Sequence, residues 1–341
     1  MKACILCHGG VGASASAVDG TAAAAAAGAA YLRQNALDAV VEATKVLEDD
    51  PRFNAGTGAN FRLDGRTIEY DAGVMDSRGR VGAIAAASGM RYPILLARAV
   101  LDSPHHLLAG EGANRLAQRL KLERRQQTPE RTHEKYRRAL EQLLSRQPHS
   151  FAQAAWHREN WRDFWNFDGR PPRRRTTDPT RGGAWGGAKG GARGGARGGA
   201  GRGAGEFSCD TVGAVARDSR GRFAVSNSTG GTTLMLYGRV GDSPLVGCGF
   251  FAGPAGAVTT TGVGEEIINR LLAFRVYQWM EEGATPQEAC AQGAGLFPRR
   301  IPVGILAVNR ESEGVAASRE MPWAGVIMDK PGSMKSIILP S

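Results

Sequence analysis

The residue in this chain best suited to chemistry is Thr211, which follows Asp210 and opens a strand-like run over residues 212–215. If the bond between Asp210 and Thr211 is hydrolysed, Thr211 becomes an N-terminal residue. It then carries a hydroxyl nucleophile and an amine that can accept the hydroxyl proton. An α-amine titrates near pH ~8, so a large share of it is neutral at physiological pH. A threonine that opens a strand is usually structural, so the hypothesis needs support from other segments.

Further polar residues stand in glycine-rich segments downstream. Thr229 precedes two glycines and Thr261 precedes Gly262, and glycine lets the backbone approach a ligand closely. Arg239 and Asp242 lie three residues apart, where a guanidinium can bind a carboxylate and a carboxylate can bind an ammonium group. Each has a plainer alternative, because turn threonines and exposed ion pairs are common. Together they indicate a site that binds the head group of an amino acid, its α-carboxylate and its ammonium group.

Strands and helices alternate along the chain without a strict βαβ order. Apolar periodicity and turn residues predict strands over 4–8, 67–70, 82–88, 212–216, 223–226, 258–260, 303–308 and 314–318. They predict helices over 22–32, 36–47, 93–101, 107–120, 265–280 and 285–296. This order favours an α+β fold built in layers rather than a doubly wound sheet.

Residues 121–208 form an insert whose composition differs from the rest of the chain. They hold 19 basic and 9 acidic residues, whereas residues 1–120 and 209–341 each hold 12 basic and 12 acidic residues, so the insert accounts for the net charge of +10. Its first part is charged and is predicted to be helical. Residues 171–205 form a Gly/Ala/Arg tract without apolar periodicity, so we expect a disordered linker there.

The Gly/Ala/Arg tract raises an alternative from another functional class. Arginine–glycine repeats bind nucleic acid through phosphate charge and arginine stacking, which would make the chain an RNA-binding protein. Only Trp185 supplies an aromatic ring inside the repeat, so stacking would be sparse. We therefore favour a solvated linker and expect no nucleic-acid partner.

The bulk composition argues against several other classes of protein. The chain has no apolar run of the ~18 residues that a membrane span needs. Its N-terminus reads as a buried strand rather than a signal peptide, and its five cysteines form an odd set, so we expect free thiols and a cytoplasmic location. No His-x-x-x-His pair supports zinc catalysis.

Several ordered segments resemble the isoaspartyl peptidase / plant-type L-asparaginase family of N-terminal-nucleophile hydrolases. The matching segments are residues 8–10, 47–58, 70–76, 210–215, 228–231, 238–244 and 260–265. The resemblance covers residues 1–120 and 209 to about 330, and the insert is unmatched. It implies a four-layer αββα sandwich in which self-cleavage leaves an α chain, 1–210, and a β chain, 211–341. It also implies a dimer of αβ units.

The resemblance assigns a role to each matching position. It makes Thr211 the nucleophile, which Thr229 and Asn54 hold and orient, and it makes Thr261 and Gly262 the oxyanion hole. Arg239 would bind the substrate α-carboxylate and Asp242 its amino group. The remaining substrate-binding positions are Val240, Gly241, Val263 and Gly264.

The family also implies a structural sodium ion and no catalytic cofactor. The ion would be held by main-chain carbonyls, which suit a hard cation. The matching positions are Leu47, Glu48, Asp50, Phe53, Ala55 and Thr57.

Two features leave the exact activity open. Asp210 stands where glycine often precedes the nucleophile, as in glycosylasparaginases and threonine aspartases, so these relatives stay as alternatives. L-asparagine and dipeptides with an N-terminal isoaspartyl residue share the same head group, so both are expected substrates. A catalytically inactive relative is disfavoured because all the assigned catalytic positions are filled.

Overall fold

Two β-sheets and the helices packed against them carry the candidate site. The structure, a computed structural model, describes residues 2–145, 161–173, 211–330 and 333–338. Asp210 and most of the tract predicted to be disordered lie outside the described residues.

The strands are β1 Ala3–His8, β2 Tyr70–Asp76, β3 Val81–Ala87, β4 Leu107–Ala109, β5 Val212–Arg217, β6 Phe223–Thr229, β7 Phe250–Gly253, β8 Gly256–Gly262, β9 Val303–Val308, β10 Glu313–Ala317, β11 Trp323–Lys330 and β12 Ser333–Ile338. The α-helices are α1 Val18–Ala29, α2 Ala36–Asp49, α3 Pro93–Leu101, α4 Gly110–Arg119, α5 Glu130–Ser145, α6 Gly264–Ile268, α7 Leu272–Glu281 and α8 Pro286–Gly295. Short 3₁₀ helices span Ala15–Ala17, Gly56–Gly58 and Trp161–Phe164.

The larger sheet joins strands from both ends of the chain. Its order is β12-β11-β1-β5-β6-β2-β3-β4, and its neighbours are antiparallel except for β3 and β4. Leu6 on β1 is paired with Val215 on β5 and with Gly325 on β11. The N-terminal strand therefore lies between two strands that follow Thr211 in the sequence.

Helices α1, α2 and α3 pack on one face of the larger sheet. Their buried residues, among them Val40, Leu47 and Ile94, form a hydrophobic core with Val212 and Ala214 of β5. Helix α1 is rich in alanine and glycine, and a Cβ on Gly28 would lie 2.4 Å from Ile5 Cδ1. Small residues thus allow this helix to approach the sheet closely.

The smaller sheet, β10-β9-β8-β7, is antiparallel throughout and faces the larger sheet. Buried side chains between the sheets include Val215, Val225, Phe250 and Leu306. Helices α7 and α8 pack on the opposite face of the smaller sheet over a separate hydrophobic cluster. Helix α8 begins with a capping box between Thr285 and Glu288, which satisfies backbone donors at its first turn.

Some local predictions were wrong. The helix predicted over 265–280 is two helices, because Leu271 has a φ of 48° and breaks the hydrogen-bond ladder. Leu271 is exposed, whereas Leu272 and Val276 are buried, so the break turns α7 onto the sheet. Strand β2 covers 70–76 rather than 67–70. It is buried on both faces, and such a strand lacks the alternation that reveals strands in a sequence.

The described residues of the insert pack against the core. Helix α5 and the 3₁₀ helix Trp161–Phe164 bury Leu143 and Trp161 in a cluster with Leu63 and Leu234. The cysteines Cys4, Cys7, Cys248 and Cys290 are buried free thiols. Across the described ranges, no helix has both the length and the apolar character needed to cross a membrane.

Candidate active site

Most of the predicted catalytic and substrate-binding residues line one narrow cleft where the two sheets meet. Its lining residues are Thr211, Thr229, Gly231, Thr232, Arg239, Gly241, Asp242, Ser243, Gly262 and Gly264. The antiparallel pairing of Val212 with Ser228 sets the start of β5 beside the end of β6, and β8 ends opposite them in the smaller sheet. Seven of the ten lining residues are among those singled out in the sequence.

The candidate nucleophile lies buried at the start of β5. The Thr211 hydroxyl is 3.0 Å from the hydroxyl oxygen of Ser243, which the sequence analysis did not single out. Thr229 lines the same cleft, and its hydroxyl oxygen accepts a hydrogen bond of 3.0 Å from the Gly231 backbone N–H. A serine directly after Asp242 in the substrate-binding segment was the one available signal for Ser243.

Asn54 holds the turn that follows Thr229. Its side-chain amide donates to the Gly231 carbonyl at 2.5 Å, and its backbone carbonyl accepts from the Gly230 N–H at 2.9 Å. Its side-chain oxygen accepts from the Asn60 N–H at 2.9 Å. Asn54 therefore fixes the backbone beside Thr229, which is an indirect way to shape the cleft.

Arg239 and Asp242 converge on the cleft with opposite charges. The guanidinium of Arg239 is ion-paired with the exposed Glu265 carboxylate, 2.7 Å from Nη2 to Oε1. Asp242 is 3 % exposed, and burial raises the pKa of its carboxyl to about 7, although Arg239 acts in the opposite direction. A Cβ on Gly264 would lie 2.8 Å from Arg239 Nη2 and 3.0 Å from Asp242 Oδ1, so a larger residue there would displace the Arg239 guanidinium.

The predicted oxyanion-hole residues end strand β8. Gly262 lines the cleft, and Thr261 is fully buried with its hydroxyl oxygen 3.4 Å from the Val11 backbone nitrogen, which donates to it. Of the flanking positions, Val263 is buried in the cluster under α7, and Val240 is half-buried.

A buried polar chain lies close to the nucleophile. His8 Nε2 is 3.2 Å from the Thr259 hydroxyl, which donates to the Asn227 side-chain oxygen. Asn227 in turn donates to the Gly249 carbonyl at 2.7 Å. Burial lowers the pKa of His8 to about 3, so its ring is neutral. A Cβ on Gly213 would lie within 2.6 Å of these three side chains, which explains the glycine two residues after Thr211.

The segment predicted to hold sodium begins in the last turn of α2 and continues beyond the helix. Leu47, Phe53 and Ala55 are buried, and Asp50 terminates the helix. The Thr57 carbonyl already accepts a hydrogen bond of 3.1 Å from Arg125 Nη2. Within the described part of the chain, no three His, Cys, Asp or Glu side chains form a group that could hold a metal ion.

The Glu48 carboxyl has a role of its own in that segment. It accepts from Ser228 Oγ at 2.5 Å and from the Ile94 N–H at 3.0 Å. Burial raises its pKa to about 8. The side chain thus links α2 and α3 to β6 through Oε1.

Comparisons with known proteins identify the family of this chain. The family model described as Asparaginase matches residues 1–324. A plant-type L-asparaginase of Pyrobaculum calidifontis is 35% identical over 82% of this chain and 79% of its own length. An isoaspartyl peptidase of Salmonella typhimurium is 37% identical over 81% of this chain and 75% of its own. An isoaspartyl peptidase/L-asparaginase of Mus musculus is 32% identical over 94% of this chain and 87% of its own.

These matches span both sides of the insert, and they confirm the family inferred from the sequence motifs. The mixed α and β architecture with its sheets is consistent with an N-terminal-nucleophile hydrolase. The chain belongs to the asparaginase family that contains the isoaspartyl peptidases and the plant-type L-asparaginases.

Proposed function

We propose that this protein is a self-cleaving threonine amidohydrolase that releases L-aspartate from L-asparagine, from N-terminal isoaspartyl dipeptides, or from both. One observation carries the proposal: Thr211, Arg239 and the buried Asp242 line a single cleft. A hydroxyl nucleophile there faces a cation and an anion that suit the head group of an amino acid.

Substrate binding would use both charges. The α-carboxylate displaces Glu265 from Arg239 and takes a bidentate hydrogen bond from the guanidinium. The ammonium group pairs with Asp242, which must be ionised to receive it. Because Asp242 is buried, the Coulomb attraction within this pair is stronger than in a surface ion pair, and it offsets the cost of removing both charges from water.

Activation would begin at the bond between Asp210 and Thr211. The Thr211 hydroxyl attacks the Asp210 carbonyl, and the acyl group moves from nitrogen to oxygen. Water then hydrolyses the ester, leaving an α chain of 1–210 and a β chain of 211–341 that begins with a free amine. The two chains stay associated because β1 of the α chain pairs with β5 and β11 of the β chain.

In the processed enzyme, the Thr211 oxygen attacks the side-chain carbonyl of the substrate. The Thr211 amine takes the hydroxyl proton and returns it to the departing ammonia or amine. The Thr261 hydroxyl and the Gly262 N–H stabilise the oxyanion of each tetrahedral intermediate. Water then attacks the acyl-enzyme, and L-aspartate leaves. Every step uses groups of this chain and water.

Four structural expectations belong to the same proposal. The packing of α1–α3 on one sheet and α7–α8 on the other supports a four-layer αββα sandwich. The confinement of the basic charge to the insert supports a solvated linker before the cleavage site. The dimer of αβ units is implied by the family resemblance. A sodium ion would lie on the carbonyls of 47–57 and stabilise the segment that carries Asn54.

The test is the intact mass and N-terminal sequence of purified protein beside a Thr211→Ala variant. Two chains, one beginning Thr-Val-Gly-Ala, are expected for the wild type, and one 36.1 kDa chain for the variant. Thr211→Ser should still cleave because it keeps the hydroxyl. Ammonia release from L-asparagine and aspartate release from isoaspartyl dipeptides then rank the substrates. A wild-type chain that stays whole on prolonged incubation refutes the mechanism.

A further inference from the structure

The 232–238 loop leaves the cleft at Thr232 and returns to it at Arg239. Between these two cleft residues, Leu234 and Met235 are buried while Tyr237 is exposed. Residues at both ends of the loop line the cleft, so a shift of the loop would shift the backbone that carries the Arg239 side chain.

The described part of the insert contacts this loop near its C-terminal end. The Asn166 amide donates to the Tyr237 carbonyl at 2.9 Å, and the Tyr237 N–H donates to the Asn166 side-chain oxygen at 3.2 Å. This reciprocal pair resembles one rung of a β-ladder. The Phe167 ring packs edge-on against the Tyr237 ring, with 6.1 Å between their centroids.

An aromatic cluster anchors these contacts to the core. Trp161 is 5 % exposed and packs in one cluster with Leu63 and Leu234. The Tyr136 hydroxyl of helix α5 donates to the Leu63 carbonyl at 3.1 Å, and the Leu63 N–H donates to the Met235 carbonyl at 2.8 Å. Two segments of the insert thus support the loop. Residues 161–167 contact it at Tyr237, and helix α5 packs in the cluster that contains Leu234.

A buried ion pair connects the far end of the loop to the cleft. The Gly238 N–H donates to Glu69 Oε2 at 2.8 Å, and the same carboxylate oxygen is 2.9 Å from Arg62 Nε. Arg62 donates through Nη1 to the Gly230 carbonyl at 2.9 Å. Gly238, next to Arg239, is therefore tied to the turn that follows Thr229.

We propose that insert residues 130–145 and 161–169 form a clasp that fixes the 232–238 loop, with Asn166 as a positioning residue for Arg239. The proposal rests on the substrate role given to Arg239 above. Releasing the loop weakens recognition of the substrate α-carboxylate, because the guanidinium then spends less time in its binding position. The clasp lies outside the acyl-transfer step, so the effect falls on KM rather than on kcat.

The experiment compares Asn166→Ala with Asn114→Ala in the self-cleaved protein that retains both chains in full. Asn114 is a matched control, because its amide also makes two hydrogen bonds, to the Ser88 N–H and hydroxyl, and Ser88 does not line the cleft. We expect Asn166→Ala to raise KM for L-asparagine about threefold to tenfold with kcat within about twofold, since each lost hydrogen bond is worth roughly 0.5–1.5 kcal/mol. Asn114→Ala should leave KM unchanged.

Trp161→Ala, which removes the anchor, should raise KM further. The clasp proposal would be overturned if KM is unchanged in both variants, or if kcat falls by the same factor as KM rises. Hydrogen exchange of the 232–238 amides separates this result from a failure of the proposed function. If the wild type hydrolyses neither substrate, faster exchange in Asn166→Ala than in Asn114→Ala still supports the clasp, and equal exchange refutes it.

Discussion

The space between the two sheets has two ends that the same strands build in different ways. At the apolar end lie Phe223, Val225, Ala257 and Val308, all in one hydrophobic cluster. Phe250 and Leu306 of the same cluster pair with Thr259, where the two ends meet. At the polar end lie Thr211, Asn227, Thr259 and Thr261, all buried and all with hydroxyl or amide groups.

Strand β6 shows the difference within seven residues. Phe223 and Val225 belong to the apolar cluster, whereas Asn227 donates to the Gly249 carbonyl and Thr229 lines the cleft. These four alternate positions face the space between the sheets, while Ser226 bonds to Thr44 of α2 on the other face. The pleat of the strand therefore places alternate residues on the same face. The residue types then decide whether that face is apolar or polar at each position.

The comparison separates stability from chemistry. The apolar end buries surface with no polar partners to satisfy, so it stabilises the sheet pairing. The polar end buries hydroxyls, amides and a carboxylate, each of which costs free energy unless it is hydrogen-bonded. Changes at the two ends should consequently alter different measurements.

Phe223→Ala should have the largest effect, on stability alone. Removing a buried ring between the sheets is expected to lower the free energy of unfolding by about 3–5 kcal/mol. Thermal or denaturant unfolding measures it. KM of the folded fraction should stay near the wild-type value, and Phe223→Leu should cost much less. A large KM change with little loss of stability would contradict the division between the ends.

Arg239→Ala should have the converse effect at the polar end. Loss of the charge-assisted bonds to a substrate carboxylate, together worth roughly 3 kcal/mol, is expected to raise KM about 10²-fold. Stability should change little, because the partner Glu265 is exposed. Steady-state kinetics with L-asparagine measures KM. Glu265→Gln is the control and should lower KM or leave it unchanged, since it frees the guanidinium.

Thr259→Val tests whether the buried polar chain is a structural link where the two ends meet. The change keeps shape but leaves Asn227 and His8 each without one hydrogen-bond partner. We expect a loss of about 1–3 kcal/mol in unfolding free energy, measured in denaturant. Thr259→Ser, which restores the hydroxyl, should recover most of this loss. Full stability in the valine variant would show that the chain is not a structural link.

The smallest effect is a pH dependence of binding at Asp242. Burial raises its pKa to about 7, so the carboxyl is increasingly neutral as pH falls below that value. A neutral carboxyl cannot pair with an ammonium group, so L-aspartate affinity should fall about tenfold for each pH unit below about 7. Calorimetry across this range measures the dissociation constant. Weak, pH-independent binding is expected of Asp242→Asn, and a flat wild-type profile would contradict the assignment.

The sequence predicted much of the fold but misplaced what tertiary contacts decide. The hairpin of β5 and β6 and the helix α8 were close to their predicted bounds, because alternation and capping residues are local signals. Strands β7 and β11 were not predicted. The break at Leu271 was also missed, since its φ of 48° follows from packing α7 on the sheet and not from the residue type.

The site divides in the same way. Motifs that resemble the family identified Thr211, Arg239 and Asp242, and the cleft contains all three. The roles of Ser243 and Glu265 could not be inferred from spacing, because each contact joins residues 26 or more positions apart. Nor could composition reveal that residues 161–169 of the insert contact the 232–238 loop.

The sequence by itself determined the family, the candidate nucleophile and the residues proposed to bind an amino-acid head group, because these depend on residue types within short segments. Only the tertiary structure decided which hydroxyl contacts Thr211, which carboxylate is ion-paired with Arg239 and how burial raises the Asp242 pKa. Those properties arise from distances and desolvation between segments far apart in the chain, and a linear pattern of residues does not contain them.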